Sequence, residues 1–103
     1  MLVIMEEKHD AIARLCAECH VARLELFGSA LDETFRPEES DIDLLVEFER
    51  MPPAAYARAY FALTEGLGVL LGYTVELVDS NCVRNPYFRA SVEQNKKLLY
   101  AAA

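Results

Sequence analysis

The 103-residue chain contains no apolar run approaching the twenty or so residues that a membrane-crossing helix needs. It also lacks a recognisable signal peptide. Met1, Leu2, Val3, Ile4 and Met5 carry no basic n-region and run straight into Glu6 and Glu7. Basic residues are scarce, ten Lys and Arg against seventeen Asp and Glu, and no Lys/Arg cluster breaks the balance. A net charge of −7 repels a phosphate backbone, which argues against direct nucleic-acid binding. It does not argue against a small nucleotide, because divalent ions mask phosphate charge. Repeats, linkers and low-complexity stretches are missing too. The expectation from these absences is one soluble cytoplasmic domain, residues 1–103, with no membrane partner. With 53% apolar and 26% charged residues the composition is that of a globular domain with a single core.

Cysteine is present three times, and its arrangement invites a misreading. Cys16-Ala17-Glu18-Cys19-His20 matches a haem-attachment pattern, and Cys-x-x-Cys is also half of a zinc site. Residues 5–19, however, read as a helix. Met5, Ile12, Leu15, Cys16 and Cys19 recur at helical spacing, so both thiols fall on the apolar stripe. The expected role is that of small buried hydrophobes in a reducing compartment.

Further along, Val21 to Phe27 is a strand in which Leu24 and Leu26 alternate with Arg23 and Glu25. A short helical turn and a polar loop follow over 30–40. Asp41 to Phe48 is a second strand, with Ile42, Leu44, Val46 and Phe48 on one face and Asp41, Asp43, Leu45 and Glu47 on the other. Pro52-Pro53 opens a long helix with Tyr56, Tyr60, Leu63, Leu67 and Leu70 as its buried stripe and Gly72 as its C-terminal cap. Tyr73 to Val78 is a third strand. Asn85-Pro86 caps a last helix that carries Phe88, Val92 and Leu99 inward and ends near Tyr100. The order predicts an α/β fold: a small mixed β-sheet with helices packed on it.

Chemistry concentrates in Phe27-Gly28-Ser29, eleven residues, then Asp41-Ile42-Asp43. Residues i and i+2 of a strand share a face, so the two aspartates stand side by side, Cα atoms about 7 Å apart. Carboxylates forced together raise one another's pKa unless a cation sits between them, and hard oxygen donors specify Mg²⁺ or Mn²⁺. Gly28 directly after a strand lets a ligand approach the backbone. The N–H groups that follow and the Ser29 hydroxyl suit a phosphate. A third carboxylate is expected from the next strand, where parity separates the candidates. Glu76 shares a face with Thr74 and Val78, and Asp79 lies opposite with Val75 and Leu77. Glu76 is mid-strand among apolar residues, where a carboxylate without partner or metal is costly, and it is the choice. Glu47 near a strand end and Arg36 in the loop are read as surface residues, with a phosphate contact as the alternative for Arg36, and nothing places His9 or His20, on the first helix and its exit, in the site.

Phe27-Gly28-Ser29 followed by Ser40-Asp41-Ile42-Asp43-Leu44-Leu45-Val46 resembles the signature of minimal nucleotidyltransferases of the DNA polymerase β superfamily. Tyr73 to Val78, Asn85 to Arg89 and Leu98 to Ala102 resemble later parts of the same family, so the likeness spans nearly the whole chain. The departures are Glu76 where relatives commonly have Asp, and Ala30-Leu31-Asp32 where many have Ala-Arg-Gly. The resemblance implies a polymerase-β-like nucleotidyltransferase fold using Mg²⁺ (or Mn²⁺) and ATP. It implies Asp41, Asp43 and Glu76 as catalytic metal ligands, with Gly28 and Ser29 holding the triphosphate. Members this short resemble antitoxins that transfer AMP to a tyrosine of a HEPN-domain toxin, in a hetero-oligomeric pair. Two other functions remain open: neutralisation by binding alone, and transfer to a small molecule. The second is disfavoured by the lack of a domain to hold a small acceptor.

Overall fold

The computed structural model describes residues 3–28 and 41–102. The expected turn over 30–40, with Ser29 and Arg36, lies outside the described residues. Two helices open the chain, α1 (Val3–Glu7) and α2 (His9–Glu18), followed by β1 (Val21–Phe27), β2 (Ile42–Phe48) and α3 (Pro53–Leu71). Next come β3 (Val75–Asp79), a 3₁₀ turn at Ser80–Cys82, α4 (Pro86–Gln94) and β4 (Lys97–Ala101). The strands form one sheet in the order β3-β2-β1-β4. β1 is antiparallel to both β2 and β4, while β2 and β3 run parallel through the α3 crossover, so the sheet is mixed as expected.

One face of the sheet carries the main core. Leu24 and Leu26 of β1, the four alternating apolar residues of β2, and Val75 and Leu77 of β3 pack under α2 and α3. The stripe of α3 is rotated slightly from the expected one. Ala59, Leu63, Leu67 and Leu71 are buried, with Tyr56, Tyr60 and Leu70 at the margin, where the two tyrosines keep their hydroxyls on polar partners. Tyr60 donates to the carbonyl of Leu77 at 2.6 Å, and Tyr56 donates to the Asp79 carboxylate. Cys16 and Cys19 are free thiols in this core, and burial pushes Cys16 up to about 12, so it stays a neutral packing group.

Two expectations need correction. The first helix is broken at Lys8 into α1 and α2. More consequentially, the last helix stops at Gln94, and residues 97–101 form a fourth strand on β1. Leu99 is buried as expected, but from a strand, because the free edge of β1 supplies hydrogen-bond partners that outweigh local helix propensity. Asn85 caps α4 as anticipated, its Oδ1 accepting from the N–H groups of Tyr87 at 2.9 Å and Phe88 at 3.2 Å. Among the described residues no helix is long and apolar enough to cross a membrane.

Candidate active site

The second face of the sheet carries the polar chemistry, and α4 covers part of it. Phe27, Leu45 and Val92 form a small separate core that ties α4 to the strands, with Val78 and Val83 beside it. Beyond that core, β1, β2 and β3 present Phe27, Asp43 and Glu76 at one level of the sheet, since Asp43 is the register partner of both.

Adjacent parallel strands put the Asp43 and Glu76 side chains next to each other on one face. Their carboxyl groups hydrogen-bond, and the Asp43 pKa is raised from 3.8 to about 6. Loss of water is the largest cause, followed by the charge of Glu76, the hydrogen bond to it, and the charge of Asp41. Asp41 sits one step outside β2, is exposed as Glu76 is, and also acts on Asp43 through its charge. Asp79 has a different role. It points to the other face, where it takes the Tyr56 hydroxyl and accepts from the Asn81 N–H at 2.8 Å, closing the turn after β3.

Gly28 follows β1 in a left-handed conformation, φ +79°. A Cβ built there would lie 2.5 Å from Oδ2 of Asp43. The absent side chain is therefore what leaves this carboxylate oxygen uncovered. Ser29 lies outside the described residues.

The sequence holds no sign of the far wall. An open cleft of roughly 790 Å³ runs from Phe27, Gly28 and Asp43 to Phe88, Ser91 and Val92 of α4 and on to Asn95, Lys96 and Lys97. Phe88, placed inward by helical spacing, is instead 41% exposed. It stands edge-on to Phe27 with ring centroids 5.8 Å apart, and lines the cleft. Phe88 falls within Asn85 to Arg89, which resembles the family, but that stretch gives no sign of a cleft, because only the packing of α4 brings these residues to the carboxylates. Glu47 is exposed, as expected.

The donor set suits a hard divalent cation. It is all oxygen, it carries mutual repulsion that a cation would relieve, and one oxygen is open. Among the described residues no three His, Cys, Asp or Glu side chains form a cage by themselves.

The raised Asp43 pKa gives a signed expectation. In the folded chain Asp43 holds its proton to about pH 6, above the unfolded value, so its unfavourable contribution is full above pH 6 and is relieved as pH falls toward 4. Asp43→Asn should be the more stable protein by ~1 kcal/mol near pH 7.5, a figure already reduced for solvent screening. By about pH 4 the gap should close. Urea unfolding of both proteins in metal-free buffer across this range measures it, and a constant gap would mean that folding does not raise the Asp43 pKa.

The chain matches the nucleotidyltransferase domain family over residues 8–99. It is 41% identical over 89 residues to MJ0128 of Methanocaldococcus jannaschii, a chain named for protein adenylyltransferase activity, covering 85% of this chain and 84% of that one. Among solved structures, a minimal nucleotidyltransferase aligns with a TM-score of 0.68 at 31% identity, covering 89% of both chains. A chain from the complex of a tri-AMPylated Shewanella oneidensis HEPN toxin with MNT antitoxin aligns with a TM-score of 0.63 over 95% of this chain and 73% of that one. Its 21% identity marks a shared fold.

Proposed function

We propose that this chain, which belongs to the nucleotidyltransferase domain family, transfers AMP from ATP to a tyrosine hydroxyl of a HEPN-domain partner and so silences it. The nucleotidyltransferase activity is the family's. The acceptor is the proposal, and it is supported by the likeness to a protein adenylyltransferase and to the fold found with an AMPylated HEPN toxin.

The observation that carries the chemistry is the Asp43–Glu76 pair at the open side of Gly28. Mg²⁺ or Mn²⁺, held by Asp41, Asp43 and Glu76, would supply charge neutralisation for the phosphates. Gly28 leaves room for phosphate oxygens beside Asp43, and Ser29 is assigned to the same triphosphate. Phe88 offers an aromatic surface at the wall of the cleft. The tyrosine hydroxyl, with an ordinary pKa near 10, must lose its proton as it attacks, and Glu76 would help to take it. A bond forms between the tyrosine oxygen and the α-phosphorus, the α–β bridging bond breaks, and pyrophosphate leaves.

Co-expression with a HEPN-domain partner tests this reading. Intact-mass spectrometry should show the partner heavier by AMP less water, with the gain absent for an Asp41→Ala/Asp43→Ala double variant. Mg-ATP alone, at about 100 times its Kd, should stabilise the wild type by roughly 2.7 kcal/mol. An unmodified partner that the double variant still neutralises would establish inhibition by binding alone.

A further inference from the structure

Glu25 is the one charged residue buried among the described residues, 5% exposed, and the reaction proposed above does not use it. It projects from β1 on the same face as Phe27, two positions from it, and both its oxygens are taken. Oε1 meets the Arg23 Nε at 3.3 Å, and Oε2 meets the Lys96 Nζ at 3.0 Å. The same ammonium reaches Oε2 of Glu93, in the last turn of α4, at 3.1 Å. Lys96 thus bridges the floor of the sheet to the end of the helix that forms the cleft's wall.

α4 has little else to hold it. Of its described side chains Val92 alone is buried, Phe88 touches Phe27 only edge-on, and the Arg89 contact to the Ser80 carbonyl, at 3.3 Å, is exposed. A buried carboxylate contributes little net stability beyond what an apolar residue would give, so what Glu25 offers here is placement. Lys96 also lines two spaces at once. On one side is the cleft with Gly28 and Asp43, and on the other a cavity of about 220 Å³ shared with Arg23, Glu47 and Arg89. Val92 lines both as well.

We infer that the Glu25–Lys96–Glu93 bridge is a latch that sets α4 over the cleft, making Glu25 and Lys96 positioning residues for the nucleotide. The inference rests on the reading that this cleft takes ATP. Freed from the latch, α4 pivots on Val92, and the wall carrying Phe88 and Ser91 loses its distance from Gly28. A nucleotide then has to restore that distance as it binds, which weakens affinity without touching the carboxylates.

The test uses the full chain and two readouts. Calorimetry with Mg-ATP should give a Kd about tenfold weaker for Lys96→Met and for the near-isosteric Glu25→Gln. The double variant should be no weaker than either alone, because both break one device. Lys96→Arg should stay within about threefold of wild type. Hydrogen exchange, which needs no nucleotide, should rise in 86–95 for both single variants while β1 and β2 stay protected. Unchanged Kd in folded variants would overturn the latch, and so would exchange rising equally in the strands. Weaker ATP binding with α4 still protected would also overturn it, by making Lys96 a direct ligand contact. If wild type binds no Mg-ATP, the reading of the cleft fails, and the exchange measurement still judges the latch.

Discussion

Glu76→Gln should cut nucleotidyl transfer by roughly two to three orders of magnitude, whereas Asp79→Asn, three residues on, should leave it within about threefold. The two acidic residues share a strand and little else. Glu76 lies on the Asp43 face, register partner to register partner, and its charge and hydrogen bond both act on Asp43. Glutamine keeps the shape but removes one of the negative charges that a metal–phosphate complex needs opposite it. Asp79 faces away, engaged by Tyr56 and the Asn81 N–H. Asparagine preserves an acceptor for the turn and a polar partner for the tyrosine. Initial rates of AMP transfer to the partner, measured for both variants, decide the matter. Loss in Asp79→Asn with retention in Glu76→Gln would mean that chemistry uses the opposite face of the sheet.

Gly28→Ala should abolish the Mg-ATP stabilisation and lower transfer roughly a hundredfold, the usual penalty for displacing a reacting group by about an ångström. Two costs coincide at this position. A left-handed φ of +79° disfavours any residue with a Cβ, by about 1–2 kcal/mol. The new methyl would also sit 2.5 Å from Oδ2 of Asp43, so the carboxylate has to turn away from the space it now faces. Gly72 separates the two costs. It caps α3 with a nearly equal φ of +73°, but a methyl added there would meet nothing within 4 Å. Gly72→Ala should therefore lose about as much stability, ~1–2 kcal/mol, with transfer unaltered. Equal loss of transfer in both variants would reduce the role of Gly28 to backbone conformation.

The pairing of Glu76 with Asp43 is legible in the chain because alternation along a strand is a property of the backbone. Once Val75 and Leu77 point to the core, Glu76 must point away from it. The thiols of Cys16 and Cys19 are legible for the same kind of reason, through helical period. Residues 97–101 are not. Lys97, Leu98, Leu99, Tyr100 and Ala101 show no alternation and include good helix formers, and only the vacant edge of β1 turns them into a strand. Glu25 is hidden by the rule that works elsewhere. Alternating with Leu24 and Leu26, it reads as a solvent-facing residue, and no local pattern announces that α4 folds over that face. Phe88 and Lys96 reach the cleft through the same packing.

The pairing of β1 with β4 also bears on the order of assembly. Glu25 of β1 is the register partner of Leu98, so an early strand meets its second neighbour only after almost all other elements exist. Contacts this distant along a chain carry a large loop-closure cost and form late in folding. β1, β2 and β3 precede β4 in the chain, with α3 between β2 and β3, so before β4 docks the Asp43–Glu76 pair would lie on a sheet whose edge is β1. Asn95, Lys96 and Lys97, which close one end of the cleft, lead into that strand, so its docking would complete the cleft beside the acidic pair.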